Sequence, residues 1–215
     1  ARVFAAGGLD VDHWQIDLPG LTARPDFPGI EVERSEAWGL VGRLPGAGSG
    51  PTLMFNGHVD VVPIGDPGAW TVGPFDATIG DGQLYGRGAC DMKAGLLAAF
   101  WAVQAIRRAG VRLGGDVVVA AVQGEEDGGL GTFALLDRGW RADACVIPEP
   151  TDLGIVPANA GALTFRLVVR GLATHASRRT EGVSAIERFW PVWRALLDLE
   201  QRRHADVDPL ARRWT

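Results

Sequence analysis

Three short apolar runs in this 215-residue chain, at residues 52–55, 117–122 and 144–147, each lead directly into a loop that carries histidine or carboxylates. Short apolar runs bounded by glycine or proline read as buried strands. Between the first two lies a helical pattern. After Asp91, the residues Leu96, Phe100, Val103 and Ile106 recur at spacings of three and four, and Arg107, Arg108 and Gly110 close the helix. Residues 130–137 predict a further helix. Strands interleaved with helices predict an α/β fold. In open sheets of this class ligands bind beyond the carboxyl ends of the strands, which is where the polar residues collect.

After Thr151 the texture changes. Residues 162–170 alternate, with Leu163, Phe165, Leu167 and Val169 on one face, and predict a strand. A turn over 171–177 and a helix over about 183–203 follow. This predicts two domains, an incomplete one over residues 1–160 and the start of a second over 161–215. The stretch before Thr52 reads as looser, with turns marked by Pro19, Pro25, Pro28, Gly46, Gly48 and Gly50.

Charge narrows the partners. A net charge of −5 argues against nucleic acid, which is bound through a basic face. No run has the length of a membrane span, and no basic segment followed by an apolar one opens the chain, so no membrane partner is expected. Cys90 and Cys145 are too few for a disulfide framework, and a cytoplasmic protein is expected.

The polar motifs are ordinary singly. His58 and Asp60, two apart on an extended backbone, share a face, so one ring nitrogen can hold a metal while the other donates to a carboxylate. His-x-Asp alone is more often a loop hydrogen bond. Asp91 reads equally as the N-cap of its helix, although a carboxylate fixed at a helix start is also a rigid ligand. Gly86-x-Gly88 lacks the third glycine of a nucleotide loop, since Cys90 and Asp91 stand there. Glu125-Glu126-Asp127 sets three carboxylates side by side, whose repulsion raises at least one pKa unless a cation is present; a solvated acidic turn is the plainer reading. Glu149, between Pro148 and Pro150, is either a rigid ligand or an exposed turn residue. Together they supply one imidazole and several carboxylates at strand ends, the N and O donors of a zinc site.

The segments Phe55-Asn56-Gly57-His58-Val59-Asp60-Val61-Val62-Pro63, Tyr85-Gly86-Arg87-Gly88-Ala89-Cys90-Asp91-Met92-Lys93, Gly124-Glu125-Glu126 and Glu149-Pro150-Thr151 resemble the dinuclear zinc amidohydrolases. That family includes acetylornithine deacetylase, succinyl-diaminopimelate desuccinylase, aminoacylase and glutamate carboxypeptidase. The resemblance covers residues 50–190. It implies a zinc-peptidase-like catalytic domain with a central mixed sheet, and the start of an inserted, ferredoxin-like α+β lid and dimerisation domain. It implies two Zn2+ ions, with Co2+ or Mn2+ as substitutes. His58 and Glu149 would hold one ion, Glu126 the other, and Asp91 would bridge them. Asp60 would orient His58, and Glu125 would be the general base. His175, in Gly171-Leu172-Ala173-Thr174-His175-Ala176-Ser177, matches the lid histidine that reaches across a homodimer to stabilise an oxyanion. His13 and His204 lack such context and read as surface residues.

The resemblance also implies a second histidine ligand in a segment following the lid, and a helix before the first strand. Neither is legible between Ala1 and Thr215, so the chain is expected to be a fragment lacking both termini. Its substrate is expected to be a small N-acyl amino acid or peptide-like amide. Cys90 before Asp91 leans toward the acetylornithine deacetylase branch, and Asn159-Ala160-Gly161, standing where desuccinylases carry arginines, lowers the desuccinylase reading. Arg178 and Arg179 read as solvated lid residues or as anchors for an anionic substrate. Two further readings stand beside the enzyme: a truncated, non-catalytic module that binds one metal or only dimerises, and a metal-free hydrolase with Glu125 and Glu149 as acid and base. The last leaves His58 without a role.

Overall fold

The computed structural model describes residues 1–157, 161 and 165–208. Its packing divides into two units, Ala1–Leu153 and Gly154–Thr215. In the first, α1 (Arg2–Ala6), β1 (Asp10–Gln15), α2 (Leu18–Thr22), β2 (Trp38–Leu44) and β3 (Leu53–His58) are followed by a hairpin of β4 (Thr78–Gly80) and β5 (Gln83–Tyr85). Helix α3 (Gly95–Arg108), β6 (Val117–Val122), α4 (Leu130–Asp137) and β7 (Ala144–Val146) complete it. The main sheet runs β1-β2-β6-β3-β7. Strand β2 is antiparallel to β1 and β6, whereas β6, β3 and β7 run parallel, so the sheet is mixed.

Strand β6 organises the core because it contains only valine and alanine and is buried along its whole length. Successive side chains point to opposite faces. Val117, Val119 and Ala121 meet Leu96, Phe100 and Val103 of α3 together with Phe4 and Leu9. Val118, Ala120 and Val122 meet Val41, Met54 and Leu135. Helices thus cover both faces, as a parallel core strand requires. Residues 89–108 are long and apolar enough to span a membrane by length and composition, yet the Leu96, Phe100 and Val103 face of α3 is spent on the sheet. It is a core helix.

Several expectations need correction. The stretch before Thr52 is not merely looped: it holds β1 and β2, and α1 precedes β1. Glycine diluted the strand signal there. A Cβ at Gly39 would lie 2.1 Å from the Trp14 ring, so the residue that weakens the pattern is the one that admits the indole. Strand β7 is exposed rather than buried, because it is an edge with β3 as its one neighbour among the described residues. Of the strand predicted over 162–170, residues 162–164 lie outside the described residues, and residues 165–170 form none. An alternating pattern becomes a strand only with a partner for its backbone, and among the described residues the pairing near it is the bridge between Leu172 and Val183.

The second unit contains a short turn, Ala176–Glu181, and helix α5 (Ala185–Ala205). Ser184 caps α5 by accepting the Glu187 amide at 3.2 Å. No residue of α5 is buried.

Candidate metal centre

The parallel register brings the loops together. His58, the last residue of β3, pairs with Val122, the last of β6, so the two strands end level and residues 124–127 emerge beside the imidazole. On the other side Phe55 pairs with Val146, and the chain beyond β7 continues along β3 toward Glu149. The fourth loop enters from α3: residues 89–94 form an irregular turn with a cis peptide between Asp91 and Met92. Met92 is fully buried, which anchors the turn while Asp91 stays exposed.

Two glycines permit this convergence. A Cβ at Gly95 would lie 1.9 Å from the Pro148 carbonyl oxygen, so the first turn of α3 rests directly on the segment that presents Glu149. A Cβ at Gly131 would lie 2.4 Å from the Gln123 carbonyl oxygen, just ahead of Glu125. Sequence reading passed over both. The available signal was a glycine opening an otherwise Ala- and Leu-rich helix, where alanine is the better helix former.

His58 is the buried centre of the group, 1% exposed. Its Nδ1 lies 3.0 Å from the Asp60 carbonyl oxygen, which can only accept, so Nδ1 carries a proton. Its Nε2 faces Asp91 Oδ1 at 3.0 Å and Glu149 Oε1 at 3.9 Å. Burial pulls the imidazole pKa down, but the hydrogen bonds to Asp91 and the Asp60 carbonyl, with the charges of Asp60 and Glu149, outweigh it and raise the pKa. Glu126 is pushed up by burial and by the charge of Asp91. Glu149 is also pushed up by burial, with Asp91 and Glu125 adding to the rise against the pull of His58.

Asp60 holds the ring through its main chain. Its carboxylate, with Oδ1 3.6 Å from Nδ1, accepts the backbone amides of Glu125 at 3.4 Å and Glu126 at 3.2 Å. One residue therefore ties the imidazole to the glutamate loop. His58 with Asp91 and Glu126, and His58 with Glu125 and Glu149, each present ligand atoms within 4.8 Å of one another. The donor set suits a divalent ion: Nε2 faces carboxylates that crowd one another, and a dication in their midst would take the place of the Nε2 proton and offset that repulsion.

His175 belongs to the second unit, where it is exposed and its Nδ1 accepts the Ser177 amide at 3.3 Å. Arg178 and Arg179 pair with Glu181 and Glu187 on the surface. His13 and His204 are exposed, as expected.

Residues 54–210 match peptidase family M20/M25/M40. A succinyl-diaminopimelate desuccinylase of Gluconacetobacter diazotrophicus is 46% identical over 165 residues, 72% of this chain and 42% of that enzyme. An N-formyl-4-amino-5-aminomethyl-2-methylpyrimidine deformylase of Bacillus subtilis is 32% identical over 206 residues, 90% of this chain and 44% of that enzyme. A tripeptidase of Staphylococcus aureus superposes with a TM-score of 0.52 at 26% identity, over 86% of this chain and 46% of its own. The chain thus spans less than half the length of these relatives.

Proposed function

The chain belongs to peptidase family M20/M25/M40, and on that premise we propose that it carries most of the dinuclear zinc site of a hydrolase that cleaves a small N-acyl amine or peptide-like amide. The observation that supports this reading best is His58 itself: a buried ring whose Nδ1 is fixed on the Asp60 carbonyl and whose Nε2 is turned toward Asp91 and Glu149. In it, His58 and Glu149 hold one ion, Glu126 the other, and Asp91 lies between them.

Divalent ions held by these residues would polarise an amide carbonyl and lower the pKa of a bound water. Glu125, exposed at the loop tip and free of the Asp60 carboxylate except through its amide, accepts the proton of the attacking water and returns it to the leaving nitrogen. Asp60 keeps both the imidazole and the glutamate loop in register for that transfer. His175 serves the oxyanion of a partner copy, in a homodimer formed through the lid. The protein is cytoplasmic in this reading.

The substrate follows the named relatives as far as their names go, a desuccinylase and a deformylase, both of which remove an acyl group from nitrogen. An acetyl donor rests on Cys90 alone. Glu125→Gln, assayed on N-succinyl, N-formyl and N-acetyl amino compounds, is expected to lose at least about a hundredfold in kcat. Activity within about tenfold of the parent overturns Glu125 as the base. Both ligand groups among the described residues share the single imidazole of His58, which favours one second reading, a non-catalytic module that binds one metal or dimerises. Zinc titration of the chain separates them, since two ions with turnover exclude the module and one ion without turnover supports it.

A further inference from the structure

The glutamate loop is held at its start by Asp60, and the structure shows a second hold at its end. Asp127 is 8% exposed, and its carboxylate receives Nη2 of Arg34, a half-buried residue 93 positions earlier in an irregular segment. The same segment docks by its backbone: the Glu31 amide donates to the Asp127 carbonyl at 3.3 Å. At the next residue a Cβ on Gly128 would lie 2.5 Å from the Gly29 carbonyl oxygen. Residues 29–34 therefore cross the loop as a strap with no room beneath it. Glu125 and Glu126 are gripped by their amides at the first anchor, and Asp127, the next residue, is the second.

We infer that Arg34 is a positioning residue which, through Asp127, fixes the loop that presents Glu125 and Glu126. The inference rests on the reading above, in which Glu126 is a ligand and Glu125 the base. The physics is that of a buried ion pair: removing the guanidinium leaves the Asp127 carboxylate uncompensated beneath the strap, and the loop must move to hydrate it. Nε of Arg34 and Oδ1 of Asp127 have no hydrogen-bond partner among the described residues, so the polar hold of the strap on the loop is the single charged contact and the backbone bond from Glu31, beside the packing of Ile30 against the core cluster that includes Leu130 and Ala134. No local pattern announces this pair, because the two charges are remote in the chain and Asp127 reads as one more member of an acidic turn.

The test is Co2+ binding to the whole 215-residue chain, followed by calorimetry and visible absorption, with thermal unfolding recorded for each variant. Glu126→Gln sets the scale. Arg34→Ala is expected to weaken Co2+ binding about tenfold and alter the absorption band, with Arg34→Lys restoring the affinity to within about twofold of the parent. Asp127→Asn, which keeps the shape and removes the charge, is expected to match Arg34→Ala, and the double variant to add nothing further. It also serves if Arg34→Ala does not fold. If Glu126→Gln loses affinity while folded Arg34→Ala or Asp127→Asn binds like the parent, the strap does not position the loop. If Glu126→Gln itself changes nothing, the ligand assignment fails and the strap's role falls with it.

Discussion

The ends of β3, β6 and β7 and the helix α5 carry apolar patterns of similar clarity, yet they reach opposite outcomes. Strand β6 is buried along its length with a helix on each face, while α5 buries no residue and leaves Trp190 and Trp193 exposed. The difference lies in closure. Around β6 each apolar face meets another, so the loops beyond the central strands are held by a core that cannot shift cheaply. Helix α5 rests on its cap, its own hydrogen bonds and the exposed polar contacts of Glu187 with Arg179 and of Arg188 with the Arg170 carbonyl, and its i, i+4 pairs such as Phe189 with Trp193 stay on its surface. A catalytic constellation needs the first kind of support, and the candidate metal ligands all lie there.

The contrast breaks most easily in the core. Leu135, 1% exposed and packed beneath β6, is expected to cost about 2–5 kcal/mol when changed to alanine. Leu197→Ala in α5 is expected to cost about 0.5 kcal/mol or less. Urea unfolding of the two variants measures this, and equal losses would remove the distinction between the units.

Gly95→Ala sharpens it next. Helix propensity alone favours alanine by about 1 kcal/mol, but the added Cβ meets the Pro148 carbonyl at 1.9 Å. Packing is expected to win, with a net loss of about 1–3 kcal/mol and weaker zinc binding, since Pro148 must carry Glu149 away with it. Unchanged zinc affinity would show that this contact does not place Glu149.

The smallest effect is with pH. The hydrogen bonds from Arg138 and Trp140 hold Asp12 below its ordinary value of 3.8 despite partial burial. Arg43 and the Gly46 amide do the same for Asp116. Because both folded-state values are depressed, their stabilisation is present above about pH 4 and is lost as pH falls through the lower folded values. The urea midpoint of the first unit is expected to hold from pH 7 to pH 5 and fall below pH 4, and Asp12→Asn is expected to shallow that fall. An acid slope unchanged in that variant would remove Asp12 from the account.

The legible parts share a cause. Strand β6, helix α3 and the loops after them announce themselves because a buried strand and an amphipathic helix impose local periodicity, and the ligand types follow at fixed short distances. Strand β2 was illegible because Gly39 and Gly42 interrupt it to admit Trp14, Phe4 and Leu9, and β1 because Asp10, Asp12, His13 and Gln15 leave it only Val11 and Trp14 as apolar residues. The burial of β7 was misjudged because composition does not say which strand becomes an edge.

His58, Asp60, Asp91, Glu125, Glu126 and Glu149, and the kind of chemistry they suit, were determined by the sequence alone, since residue type and order along the chain carry that information. What the tertiary structure decided is how they meet. The level ends of β3 and β6, the seat of Gly95 on Pro148, the use of the Asp60 carboxylate to hold the glutamate loop and the Arg34 strap across it all join residues far apart in the chain. Such contacts arise from close packing in three dimensions, which no local spacing encodes.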